Sequence, residues 1–198
     1  MKIIVFDIGN VLVRWDPAPA FRPQLGSDAA VADFLARTDF LARNLRADRG
    51  ERFGALAQEI ADPDDRMLFA AYATRFACTI QHAIEDSWRL LDRLRSRGHA
   101  IHAITNWSAE TWPIGLTAHP RLQEAFGVTI VSGQEKMTKP DPAIFHLLCQ
   151  RAGVTPSDCT FIDDSAANVA GAEAVGMDAI RFTDPAALDR ALTDRGLL

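Results

Sequence analysis

The sequence has only three cysteines in 198 residues, Cys78, Cys149 and Cys159. They lie far apart, their number is odd and no pair has metal-ligand spacing, so neither a disulfide framework nor a cysteine-based metal site is indicated. Buried thiols in a reducing cytoplasm are the simplest reading. The five histidines show no metal-ligand spacing either. His99 and His102, beside and within a candidate strand, read as hydrogen-bonded or exposed side chains. No apolar run approaches membrane-spanning length. The start, Met1-Lys2-Ile3-Ile4-Val5-Phe6, has the charge and apolar character of a signal peptide. It is too short for one, and Asp7 and Asn10 interrupt it, so it reads as a buried strand. Excess positive charge is also missing: the formal net charge is -5, which gives no support for nucleic-acid binding. No internal repeat or low-complexity tract is evident. The expectation is a cytoplasmic protein without membrane or nucleic-acid partners.

Hydrophobic residues make up 48% of the chain and charged residues 24%. That suffices for a real core in one domain, or one domain with a modest insertion. Ile3 to Phe6, Ala100 to Ile104, Val128 to Val131, Cys159 to Ile162 and Ala179 to Phe182 are short, mainly apolar runs, the pattern of strands covered on both faces. Helical patterns alternate with them: Glu85 to Arg97, Pro142 to Ala152 and Ala166 to Val175, each stopping at or just before a glycine. The alternation predicts an α/β fold with a parallel sheet and helices on both faces. Residues 15–83 differ. Their spacing is helical throughout, with candidate helices Asp28 to Arg37, Glu51 to Ile60 and Asp65 to Phe76, and no strand is found. A third of the chain is far longer than an ordinary connection. The expected organisation is a Rossmann-like core from residues 1–14 and 84–198 and a helical cap from residues 15–83.

Ligands of open parallel sheets bind beyond the carboxyl ends of the strands. Those ends carry Asp7-Ile8-Gly9-Asn10 after the first strand and Thr105-Asn106 after the second. Lys139-Pro140-Asp141-Pro142 follows the third at a short distance, and Asp163-Asp164-Ser165 follows the fourth. A lone strand-end Asp is usually a cap or turn residue, and Lys139 alone would read as a solvated loop lysine. Capping needs only one acceptor, so it does not explain the joint pattern.

These four segments, with Asn168, Gly171 and Ala172 after the last, resemble in order the four motifs of the haloacid dehalogenase-like hydrolase superfamily. The insertion after the first motif resembles its C1-type cap, and the Asp-x-Gly-Asn-Val start resembles small bacterial sugar-phosphate phosphatases. The resemblance implies strand order 3-2-1-4-5, with Asp7 and Asp164 flanking one crevice. It implies a magnesium-dependent phosphatase in which Asp7 attacks phosphorus to give an aspartyl-phosphate. Mg2+ would be held by Asp7, the backbone carbonyl of Gly9 and Asp164. Asp163 and Ser165 would orient that cluster. Thr105, the backbone amide of Asn106, and Lys139 would bind the phosphoryl group, Lys139 as a point charge. The partner would be a small phosphorylated metabolite, with a sugar phosphate such as a hexose 1-phosphate the first choice.

One position departs from the pattern. Many family phosphatases carry an Asp two residues after the nucleophile as general acid and base, and here that residue is Gly9. The loss predicts a slower enzyme or a good leaving group, since such help is worth ~10²–10⁴-fold. Asp16 is a possible substitute, although an Asp before Pro17 more simply starts a turn. A metal-free 2-haloacid dehalogenase, which needs no proton donor, is the alternative. The pair Asp163-Asp164 argues against it, because uncompensated carboxylates would raise the pKa of Asp7. A non-catalytic phosphometabolite-binding or interaction protein is a third reading. Trp15, Trp107 and Trp112 are candidates to line a pocket or are packing residues. Asp48-Arg49-Gly50 is a substrate-facing turn or a solvated charge cluster. The sequence names neither the substrate nor the oligomeric state.

Overall fold

The computed structural model describes residues 2–198. A five-stranded sheet runs in the order β3-β2-β1-β4-β5, all neighbours parallel. The strands are β1 (Ile3–Phe6), β2 (Ala100–Thr105), β3 (Thr129–Val131), β4 (Cys159–Asp163) and β5 (Asp178–Arg181). Every residue of β1 and β4 is buried, which is why β1 is continuously apolar and β4 mainly so, rather than alternating. Ile3 and Val5 pack with Ile144, Phe145 and Leu148 on one face. Ile4 and Phe6 belong to the cluster of Leu91, Leu94, Leu188 and Leu192 on the other.

The insertion after β1 holds six short helices: α1 (Arg22–Leu25), α2 (Asp28–Arg37), α3 (Phe40–Asp48), α4 (Phe53–Ala57), α5 (Pro63–Ala70) and α6 (Tyr72–Arg75). The remaining helices are α7 (Glu85–Ser96), α8 (Trp112–Ala118), α9 (Ser132–Glu135), α10 (Pro142–Ala152), α11 (Ala166–Ala174) and α12 (Pro185–Asp194). The insertion has its own aromatic centre. Phe21, Phe34, Phe40, Phe53, Phe69 and Tyr72 are at most 1% exposed and meet ring to ring at 4.7–6.0 Å. It joins the sheet side through Phe76 and Trp107, whose rings are 5.4 Å apart. Among the described residues no helix is long and apolar enough to cross a membrane.

Several expectations need correction. The predicted helix Glu51 to Ile60 is formed only over Phe53–Ala57, because Glu51 N–H is used to close the end of α3 on Arg46 O. The predicted Asp65 to Phe76 is two helices. The first starts earlier, capped by Asp62 with Pro63 in its first turn, and Ala71 divides it from α6. Helices α1, α3, α8, α9 and α12 were not expected. Cys149 and Cys159 are buried free thiols, but Cys78 is exposed.

Candidate active site

The sheet register builds the site. Phe6 is level with Ala103 on one side and Ile162 on the other. Asp7 therefore leaves the sheet beside Asp163, its N–H still held by Ile162 O at 2.8 Å. Lys139 comes from the segment before α10 and is only 2% exposed, so it is no solvated loop lysine. Its Nζ lies 2.8 Å from Asp7 Oδ1 and 2.6 Å from Asp163 Oδ2, and donates to Ile104 O at 2.9 Å. Asn106 fixes this lysine by a reciprocal pair: its Oδ1 accepts from Lys139 N at 2.9 Å, and its Nδ2 donates to Lys139 O at 3.1 Å. The pair spans 33 residues, so no local pattern announces it.

Asp163 is fully buried. Besides Lys139 it accepts from Ser165 N at 2.8 Å and Asn168 Nδ2 at 3.0 Å. Neither acid caps α11; the Ser165 side chain does, while the Ser165 backbone N–H orients Asp163. Asp7, Asp163 and Asp164 each bring an oxygen to within 4.8 Å of the others. Burial pushes Asp7 above the ordinary carboxylate range; Lys139 opposes this, and Asp163 and Asp164 add to it. Asp164 is raised by burial and by Asp163, against Lys139. Burial by itself would lower the Lys139 ammonium, but Asp7 and Asp163 outweigh it and hold its pKa up. Three carboxylates thus share one ammonium. That surplus of negative oxygen donors fits a hard divalent cation. The expected penalty on an uncompensated Asp7 is present, with desolvation as its first cause and repulsion behind it.

Beyond the strand ends a cavity of about 180 Å³ separates the core from the insertion. The core contributes Asp7, Gly9, Asn10, Asn106, Asp164 and Asn168 to its lining, and the insertion contributes Trp15, Asn44, Asp48 and Phe76. Thr105 and Lys139 are buried. The Thr105 hydroxyl is buried with no hydrogen-bond partner, as is Trp107 Nε1. Trp107 lines the cavity, whereas Trp112 packs edge-on against it at 5.3 Å between ring centres. A Cβ at Gly9 would meet nothing within 4 Å, so the place where a second Asp would project is open. Asp16 does not fill it. That side chain is exposed and accepts from Ala18 N at 2.9 Å, a turn.

Asp48 is the residue that sequence reasoning left undecided. It ends α3 and is 9% exposed in the cavity wall, so it is not part of a solvated cluster. Its Oδ2 accepts from Asn44 Nδ2 at 3.1 Å. Burial raises its pKa to about 7, the Ser108 backbone N–H opposing, Asp7 adding and Lys139 opposing. Arg49 turns outward and donates to Thr138 Oγ1 at 3.0 Å. A sequence signal did exist. An acid in the last turn of a helix faces the negative end of the dipole, where it is disfavoured. The turn was hidden because α3 itself was not recognised.

Comparison with known proteins agrees with this geometry. Residues 1–176 match the model of the haloacid dehalogenase-like hydrolases. The fructose-1-phosphate phosphatase of Escherichia coli is 33% identical over 185 residues, 89% of this chain and 94% of its own. A solved enzyme of this family from Bacteroides thetaiotaomicron, in complex with magnesium and inorganic phosphate, superposes with a TM-score of 0.69 at 19% identity, over 93% of this chain and 95% of its own. The L-2-haloacid dehalogenase of Xanthobacter autotrophicus, with chloropropionic acid covalently bound, superposes with a TM-score of 0.65 at 18% identity, over 100% of this chain and 84% of its own. At such identities the two structures speak for the fold alone.

Proposed function

The chain belongs to the haloacid dehalogenase-like hydrolases, and from that footing we propose that it is a magnesium-dependent phosphatase acting on a small phosphorylated metabolite, with a sugar phosphate preferred. The observation that carries this reading is the cluster of Asp7, Asp163 and Asp164, the first two of them paired with the buried ammonium of Lys139. Magnesium would be held by Asp7, the backbone carbonyl of Gly9 and Asp164. When bound it neutralises carboxylates and phosphate so that they can approach. Asp163, already saturated by Lys139, Ser165 and Asn168, stays behind and orients the lysine.

Asp7 attacks phosphorus with one carboxylate oxygen while the bond to the leaving oxygen breaks, giving an aspartyl-phosphate that water then hydrolyses. Lys139 opposes the protonation of Asp7 that burial favours and aims its carboxyl group. Thr105 Oγ1 and the Asn106 backbone N–H supply donors to the phosphoryl oxygens, where charge spreads in the transition state. The insertion, taken as a cap over residues 15–83, closes the cavity and selects the substrate. A cavity of about 180 Å³ suits a small metabolite. A cytoplasmic location belongs to the same reading.

The test is phosphate release from a panel of sugar phosphates, nucleotides and acyl phosphates, with magnesium and with chelator. Release should vanish with chelator and fall at least ~10³-fold in Asp7→Asn, since removing a nucleophile leaves only binding and electrostatic help. Release that survives in that variant would sink the assignment. One observation favours a second reading, 2-haloacid dehalogenation: Gly9 offers no proton donor, and halide needs none. Halide release without phosphate release would establish it. Magnesium binding with neither release would point to a binding protein.

A further inference from the structure

Displacing an alkoxide needs a proton, and Gly9 has none to give. Resting on the phosphatase reading, we propose that Asp48 is the general acid and base of this reaction, brought by the insertion into the wall of the cavity that Gly9 also lines.

Three acidic side chains line the cavity: Asp7, Asp164 and Asp48. The first two are committed to phosphorus and to the cation. Asp48 lines the same cavity from the insertion, only 9% exposed, and the Asn44 amide holds one of its oxygens. Its placement is built rather than incidental. Helix α3 ends in a glycine-closed turn in which Gly50 N–H reaches Ala47 O at 2.9 Å and Glu51 N–H reaches Arg46 O at 3.1 Å. Gly50 has φ +101° and lies so close to the core that an added Cβ would be 3.1 Å from Gly133 O. With Arg49 on Thr138 and Phe53 N–H on Glu110 Oε2 at 3.0 Å, the turn is seated on the loops after β2 and β3. Burial also favours the protonated carboxyl near neutrality, the form a general acid requires.

The steps balance. As Asp7 bonds to phosphorus and the bond to the leaving oxygen breaks, the Asp48 proton passes to that oxygen and the alcohol departs. Asp48, now a carboxylate, takes a proton from water as that water attacks the aspartyl-phosphate. The bond from phosphorus to Asp7 breaks, and phosphate leaves with Asp48 again protonated. The acid is in place only when the insertion sits on the core, so chemistry is coupled to closure.

The test compares leaving groups. Asp48→Asn keeps the shape and an acceptor but cannot donate a carboxyl proton. Its kcat/KM for a sugar or alkyl phosphate that the wild type hydrolyses should fall ~10²–10⁴-fold. For p-nitrophenyl phosphate, whose leaving group needs no proton, the fall should stay below ~10-fold. Equal losses on both, or none on either, would overturn the proposal while leaving the phosphatase reading intact. Should the variant fail to fold, the wild-type enzyme decides. A shallow dependence of kcat/KM on leaving-group pKa supports an acid, and a steep one refutes it. A wild type that releases phosphate from neither class would remove the phosphatase reading itself, and Asp48 with it.

Discussion

Thr105 shows how one side chain can cost stability and still serve the site. A buried hydroxyl without a partner costs about 1–3 kcal/mol, and Thr105 Oγ1 is such a group. Valine has the same shape and no hydroxyl. Thr105→Val should therefore melt at the same temperature as the wild type or slightly higher, while kcat/KM for phosphate release falls about tenfold or more, the worth of one hydrogen bond to a charged group. Calorimetry and steady-state kinetics on one preparation check both halves. Lower stability with unchanged kinetics would make the hydroxyl structural. Lys139 is the converse case. It looks like an exposed lysine in the sequence, yet both of its acidic neighbours and the Ile104 carbonyl depend on its ammonium.

At the level of elements, the turn after α3 decides where the insertion meets the core. Gly50 occupies a backbone region that L side chains rarely adopt, and a side chain there would press on Gly133 O and Lys136. Gly50→Ala should cost roughly 1–3 kcal/mol, the price of such a backbone position, seen as a lower denaturant midpoint. It should also lower turnover of alkyl phosphates more than of p-nitrophenyl phosphate, because Asp48 moves with the turn. Unchanged stability would mean that the turn relaxes freely. Helix α3 escaped notice because its apolar residues do not share a face: Leu41 and Leu45 are exposed, while Phe40, Ala47 and the polar Asp48 are buried. The β-strands were legible for the opposite reason. Burial on both faces leaves a mainly apolar run, unbroken in β1 and interrupted only by Thr160 before Asp163 in β4.

Over the whole molecule, the site makes stability depend on pH and on metal. Asp7 and Asp48 have folded-state values above the ordinary carboxylate value, both near 7. Between about pH 4 and that range the folded chain holds protons that the unfolded chain has released. Their contribution to stability is thus lost as pH rises, on the order of a few kcal/mol. Magnesium, which binds ionised carboxylates, should offset that loss. Melting temperatures in chelator and in magnesium should accordingly diverge, with a larger gain from magnesium at pH 8 than at pH 5. The difference between the two conditions cancels the surface ion pairs, which titrate alike in both. No gain at either pH would mean that the cluster holds no cation.

The sequence by itself determined the α/β class, the five strands, the presence of a helical insertion and the candidate residues at the strand ends. These features are written in local hydrophobic runs and short motifs, and burial of the central strands on both faces enforces them. Its four-motif resemblance also implied the strand order. Only the tertiary structure decided that Asn106 clamps Lys139, that Asp163 is saturated while Asp164 faces the cavity, and that Asp16 stays in a turn. It alone brought Asp48 from the insertion into the cavity that Asp7 lines. Each of these depends on contacts between residues far apart in the chain, whose energies arise from burial and charge in a shared cavity, and no local pattern records which distant groups will share it.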